Sequence, residues 1–327
     1  MDEDLQQSNQ GKEPGRKDDN DKKTTQVDYS HKLNPAISPL SAAFIGLLGG
    51  FFLYQIVGGI LTLLIFGLDL EKAPINGFRL MTMAGQVLFI LLPALLFSKW
   101  IYEDVTTVIR FKPARWKEIG LFVIGIIVLT PLLENFVVIQ NYIIDRLAAS
   151  SSTVNSVKTL FDNLNNKVEA TYSNLITAHS YPERLLVILV VAAVPALCEE
   201  VMFRGFIQKS FELKFKPYLA ILITSLFFGL YHFNPYGLIP LAALGFYFGF
   251  AVYLSDSILT SMSLHFLNNL FAILMIFIAG NEQIINPSPN NAVDLKSSIT
   301  IFVSLLVIFI GIIYIILKYY KDKRSYV

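Results

Sequence analysis

The chain has 327 residues, 54% of them hydrophobic and 16% charged, with a mean hydropathy of +0.54. A soluble domain is not this apolar over its whole length; a net charge of +1 says nothing about nucleic acid, and no nucleic-acid partner is expected. The one cysteine, Cys198, excludes a disulfide framework within the chain and a CxxC metal knuckle.

Residues 1–40 are polar and mixed in charge. They predict a disordered cytoplasmic tail, and they lack the basic start, short apolar core and cleavage site of a secretory signal. Apolar runs follow at 41–68, 78–98, 118–140, 184–207, 217–233, 236–254, 258–279 and 299–317. A hydrocarbon core of about 30 Å needs roughly 20 apolar residues as a helix. The expected fold class is therefore all-α, a polytopic transmembrane helical bundle with about eight membrane-spanning helices embedded in a lipid bilayer. The fifth and sixth runs are short and separated only by NPYG, so their boundaries are the least defined.

Basic residues set the orientation. Lys99, Arg110, Lys112, Arg115 and Lys117 fall in the 99–117 connection, Lys209, Lys214 and Lys216 in 208–216, and Lys318, Lys321, Lys323 and Arg324 at the C-terminal end. Short basic loops stay in the cytoplasm. Eight spans satisfy this alternation, with both termini cytoplasmic. The predicted organisation is a tail over 1–40, N-terminal transmembrane helices over 41–140, a polar extracytoplasmic loop over 141–183, a core over 184–280, and a last transmembrane helix with a basic tail over 281–327. Within the loop, Val154, Val157, Leu160, Phe161, Leu164 and Val168 recur at helical spacing. They predict an amphipathic helix, either over the mouth of the bundle or, on the simpler reading, solvated at its surface.

The fourth run contains PALCEEVMFRG, which puts Glu199, Glu200 and Arg204 inside a predicted membrane helix. A charge there costs at least about 2.5–3.5 kcal/mol, so such groups point to function. Glu200 and Arg204 are spaced i,i+4 and can pair on one face. Glu199 points about 100° away and is left unpaired, which suits a group that takes and returns a proton. Pro195, one turn earlier, can kink the helix and free a carbonyl near the glutamates. Two of the four histidines, His232 in SLFFGLYH and His265 in SMSLHFLNN, also fall in or at the edge of apolar runs. Phe228 lies one turn before His232, and Asn269 one turn after His265 on the same face, so that His265 and Asn269 can converge on one point. Glu, His, His and Asn can hold and deprotonate a water and stabilise an oxyanion, or bind one metal ion with Glu as base, and both routes lead to amide hydrolysis. No HExxH and no GxSxG is present.

Together, EEVMFR, FGLYH and HFLNN, in this order and each on its own predicted span, resemble the EExxxR, FxxxH and HxxxN motifs of the CPBP intramembrane proteases, the CAAX-protease and bacteriocin-processing family also called Abi. The resemblance covers about residues 184–280. It implies an intramembrane endopeptidase in which Glu199 activates water, Glu200 and Arg204 form the supporting pair, and His232, His265 and Asn269 position the water, or a metal, and the oxyanion. Phe228 is the aromatic member of the second motif. The family is classed as metalloprotease, which implies zinc or another divalent metal on Glu199, His232 and His265. A glutamate-and-water mechanism without metal is the other implied route. The implied substrate is a peptide or a membrane-protein segment. The implied location is a bacterial cytoplasmic membrane.

Two other function classes use intramembrane charges: a proton-coupled transporter and a non-catalytic immunity or scaffold membrane protein. No repeat of the transporter kind is visible in the sequence. Depth sets one further expectation. Counted along straight helices at about 1.5 Å per residue, His232 and His265 would lie at different levels, so the fifth span should be tilted, deeper at its start, or broken. In the sixth span, Gly245-x-x-x-Gly249 should let a neighbouring helix approach closely.

Overall fold

Every regular element among the described residues is a helix, as the apolar runs require of a chain that must satisfy its backbone inside hydrocarbon. The computed structural model describes residues 33–68, 73–279 and 295–325. Most of the predicted disordered tail, and the connection over 280–294, lie outside the described residues. Residues 34–327 make up one contact unit.

Helix α1 is Pro39–Phe66 and α2 is Ile75–Tyr102. A one-turn α3, Val105–Ile109, is N-capped by Asp104. Then come α4, Trp116–Ser150, α5, Ser152–Ile176, α6, Tyr181–Glu212, α7, Pro217–Leu230, α8, Leu238–Ser255, α9, Ile258–Ala279, and α10, Leu295–Ser325. Seven of them (α1, α2, α4, α6, α8, α9 and α10) are long and apolar enough to cross a membrane, so the chain is a multi-pass membrane protein. Helix α7 has only 14 residues. At about 1.5 Å per residue it is roughly 21 Å long, shorter than the hydrocarbon core, and α7 with α8 leaves and returns to one end, where Glu212 and Asp256 both meet Arg110. Helix α7 packs along α8 as a helical hairpin, closed where the Asn234 side chain accepts from Gly237 N at 2.7 Å.

The basic connections gather at one end. Arg110 bonds Glu212 at the end of α6 and lies 3.8 Å from Asp256 between α8 and α9. Lys112 also bonds Asp256. Lys323 on α10 reaches Glu118 at the start of α4 at 2.6 Å, and Ala36 N bonds Ile101 O at 2.7 Å. Burial in this cluster pulls the Arg110 pKa down to about 10, although Asp256 opposes the shift. The start of α1 and the end of α10 therefore share the end that holds the Lys- and Arg-rich connections.

The polar connection predicted over 141–183 is mostly helical, beyond the amphipathic helix expected within it. Helix α4 continues to Ser150, and α5 begins at once, because Ser151 leaves helical geometry (φ −145°) and its side chain accepts from Val154 N. Seryl and asparaginyl composition suggested a loop, but an N-cap followed by a helical-period apolar stripe outweighs that local preference. The stripe stays largely open, with Val157, Leu160, Phe161 and Leu164 all exposed. Side-chain bonds hold the helix down. Buried Arg79 of α2 donates to Leu175 O at 2.9 Å and to Thr177 O, which satisfies orphan carbonyls at the C-terminal end of α5. Further along, Tyr236 donates to Asp162 at 2.6 Å, and Lys158 pairs with Asp162 at 2.8 Å.

Candidate active site

The site is built on α6. Pro195 has no N–H to give the carbonyl one turn earlier, that of Val191. The helix is wound as π-helix over Leu189–Ala193 and again over Val201–Ile207, the kind of local widening that recurs at functional sites. The orphaned carbonyl is taken by Asn269 of α9, whose Nδ2 donates to Val191 O at 3.0 Å. The kink expected from Pro195 thus appears as π-helix, and the freed carbonyl as a docking point for α9.

Just beyond Pro195, Glu200 and Arg204 are both 0% exposed and pair at 2.8 Å. Glu200 Oε1 also accepts from His265 Nδ1 at 2.9 Å. The Arg204 guanidinium lies 4.2 Å from the Phe228 ring centroid and 5.4 Å from that of Phe248. Its Nη2 donates to Gly245 O at 3.2 Å. Two turns down, Gln208 Nε2 donates to Gly249 O at 3.1 Å and to Glu212 at 2.9 Å. The glycine pair of α8 therefore does admit a close neighbour, and the neighbour is the polar face of α6. A Cβ on Gly249 would stand 2.5 Å from Gln208 Oε1 and 2.9 Å from Ile221.

Glu199 is different. It is half-buried, and its Oε2 is sealed from solvent with no hydrogen-bond partner. Its charge is felt by Arg204, Cys198, Tyr54 of α1 and Tyr172 of α5. It is the unpaired carboxylate of the three intramembrane charges, as the i,i+4 spacing of the other two implied.

The two histidines meet at Phe228. The His232 ring lies 4.8 Å from it and the His265 ring 6.1 Å, and His265 stacks on Phe248 at 5.3 Å. His232 Nδ1 is 2.8 Å from Phe228 O. A carbonyl only accepts, so Nδ1 carries the proton and Nε2 of the neutral ring is an acceptor. His265 Nδ1 faces a carboxylate oxygen, so it too carries a proton. The two histidines are not separated in depth as straight counting implied: both rings lie against Phe228. His232 sits in the turn after α7, where Phe233 takes a left-handed φ of 50°. Gln55, just past the middle of α1, donates to Tyr231 O at 3.2 Å. Tyr231 donates to Leu47 O, and Gln140 of α4 donates to Tyr236 O at 3.0 Å. The loop carrying His232 therefore lies within the depth of the bundle, pinned by α1, α4 and α5.

His265 and Asn269 do share a face of α9, but they do not converge on one point. They meet α6 at two levels, Glu200 and Val191. The donor set Glu199, His232 and His265 was also tested for a metal. Each histidine offers Nε2 while its Nδ1–H is held by an oxygen, as metal-bound histidines do. However, no three His, Cys, Asp or Glu side chains among the described residues stand close enough to hold one ion. As they stand, the residues do not form a three-ligand centre.

Several residues of the site were not singled out from sequence: Tyr54, Tyr172, Arg79, Gln55, Gln140, Tyr236 and Asp162. Arg79 carried a signal, a cation inside the predicted span 78–98. The others are polar residues whose partners lie on distant segments.

Comparison with known proteins adds one match. Residues 181–271 match the family model described as Type II CAAX prenyl endopeptidase Rce1-like, the protease family that the three motifs resemble. The match covers α6 to the middle of α9 and includes all seven motif residues. No curated protein and no solved structure matches the chain.

Proposed function

We propose that the protein is an intramembrane endopeptidase of the CAAX type, with Glu199 as the general base that activates water. The observation that carries this reading is the division of labour on α6. Glu200 is spent on Arg204 and His265, while Glu199 keeps an unpartnered oxygen. The family match over these helices supports the same class of reaction.

In the proposed reaction a water gives one proton to Glu199 and directs its other hydrogen to a histidine Nε2, that of His232. The water oxygen attacks the peptide carbonyl carbon, and negative charge moves to the carbonyl oxygen. When the tetrahedral species collapses, the C–N bond breaks and Glu199 returns its proton to the leaving amine. The buried Glu200–Arg204 pair holds His265 and the Phe228 ring against which His232 rests. Apolar side chains of the bundle exclude bulk water, which strengthens these interactions. We place both termini on the cytoplasmic side of a bacterial inner membrane, because the basic connections gather at that end. Substrates would be peptides or membrane-protein segments, prenylated CAAX ends among them.

The test compares the peptides released by purified wild type and by Glu199→Ala from an unbiased peptide pool and from a prenylated CAAX-ended peptide. Cleavage that disappears in Glu199→Ala, with the variant still inserted and folded, supports the reading. Cleavage at the wild-type rate by Glu199→Ala overturns it.

A further inference from the structure

The run HFLNN ends in two asparagines, and only the second belongs to a motif. The first, Asn268, stands between α4 and Asn269. Its Nδ2 donates to Asn269 Oδ1 at 3.2 Å, and its Oδ1 accepts from the Thr130 hydroxyl of α4 at 3.1 Å. Asn269 Nδ2 in turn donates to Val191 O of α6 at 3.0 Å. Thr130, Asn268 and Asn269 thus form one run of donors and acceptors across α4, α9 and α6.

Its direction is set from the α6 end. A carbonyl only accepts, so Asn269 turns its amide nitrogen to Val191 and its oxygen to Asn268. That oxygen needs a donor, so Asn268 presents Nδ2 and turns its own oxygen to Thr130. The Thr130 hydroxyl has one hydrogen and two acceptors in reach, Asn268 Oδ1 and Ile126 O at 3.0 Å. Given to Ile126 alone, the hydrogen leaves two oxygens facing each other, and turning Asn268 over only moves that clash to Asn269. The hydroxyl therefore serves Asn268. With one amide hydrogen on Val191 O, Asn269 Nδ2 keeps a second. The amide plane decides where that hydrogen points, and the plane is held at both ends only while Asn268 is in place.

We propose that Asn268 and Thr130 are positioning residues, which hold the Asn269 amide in the orientation that offers its second N–H to the bound peptide. The proposal rests on the peptidase reading above and on the role that the third motif implies for Asn269. It gives α4 a share in ordering the site.

The test measures steady-state cleavage of a quenched-fluorescent peptide built on the bond that wild type cuts in the unbiased pool, below the melting temperature of every variant. It compares wild type, Glu199→Ala, Asn268→Ala, Thr130→Val, Thr130→Ser, Asn269→Ala, and Asn268→Ala combined with Asn269→Ala. A misplacement of about 1 Å can cost about 100-fold, so Asn268→Ala and Thr130→Val should lower kcat about 10- to 100-fold with KM near wild type. Thr130→Ser keeps the hydroxyl and should keep the rate. Because Asn268 acts through Asn269, Asn268→Ala should cost nothing further in the Asn269→Ala background. A merely structural brace would lower the melting temperature and leave kcat alone. Wild-type kcat in Asn268→Ala, an equal loss in both backgrounds, or full activity in Asn269→Ala, each with Glu199→Ala inactive, overturns the proposal and leaves the peptidase reading standing. Failure of wild type to cleave any peptide, or full activity in Glu199→Ala, overturns both.

Discussion

His265 Nδ1 and Glu200 Oε1 lie 2.9 Å apart across 65 residues of sequence, and this contact decides which glutamate is free. Glu200 answers two cations or donors at once, Arg204 and His265, in a site with no solvent. Removing its charge strands Arg204, and breaking a buried pair by losing one partner costs about 3–5 kcal/mol. Glu200→Gln should therefore lower the melting temperature of the detergent-solubilised protein sharply. Glu199→Gln should leave it nearly unchanged, since Glu199 Oε2 has no partner to lose. Equal destabilisation by the two substitutions would contradict this division.

Asn269 and Pro195 make a separable pair. Asn269→Ala leaves the Val191 carbonyl without its side-chain donor, a loss of about 1–3 kcal/mol. Pro195→Ala restores a backbone N–H that can reach the same carbonyl. The double variant should therefore be more stable than the sum of the single effects, measured as a coupling between the two melting shifts. Simple additivity would mean that Asn269 is not held in place by that carbonyl.

Local patterns were legible in the sequence, and distant pairings were not. Glu200 and Arg204 could be read from i,i+4 spacing, and the apolar runs gave the long helices, because both are properties of one helix. The partnership of His265 with Glu200, and of Asn269 with Val191, joins different helices and leaves no trace in spacing. The apolar run over 217–233 was too generous for α7, since Tyr231 and His232 continue its composition while the left-handed Phe233 ends its geometry. Helix α5 was half legible. Its apolar period was visible, but nothing in the chain announced that Arg79 and Tyr236 would fasten it over the site.

The metal question has its own test. No three-donor cluster forms among the described residues. The purified protein should then carry no stoichiometric zinc, and a strong divalent-metal chelator should leave the cleavage rate unchanged. A rate lost to the chelator and restored by zinc would instead make Glu199, His232 and His265 ligands, the histidines through Nε2.

Gly249 is the tightest contact between α8 and the polar face of α6. An added methyl would press on Gln208 Oε1 at 2.5 Å and on Ile221 at 2.9 Å, and it would push away the carbonyl that Gln208 uses. Gly249→Ala should destabilise by about 1–3 kcal/mol, as overpacking does. Gly59→Ala, where nothing lies within 4 Å, should be neutral or slightly stabilising. A melting comparison of the two variants decides the point, and a neutral Gly249→Ala would mean the helices separate at no cost.

The fastening of α5 should be insensitive to pH over a wide window. Lys158 first, and then Tyr236, hold the Asp162 carboxyl below its ordinary 3.8. A depressed carboxyl contributes stability above its unfolded value and loses it as pH falls through the folded one. Asp162 in turn raises Lys158 above 10.5. That contribution is present below 10.5 and is lost as pH rises through the folded value. Both are partly exposed surface groups, so the effect is modest and screened by salt. Hydrogen-exchange protection of residues 152–176, corrected for intrinsic rates, should match at about pH 5 and about pH 8 and fall only below about pH 4. Asp162→Ala should weaken protection across the whole window, because it removes the Lys158 ion pair and the acceptor for Tyr236 together. Protection that changes between about pH 5 and about pH 8 would show that a group titrating near neutrality, rather than Asp162 and Lys158, holds the helix down.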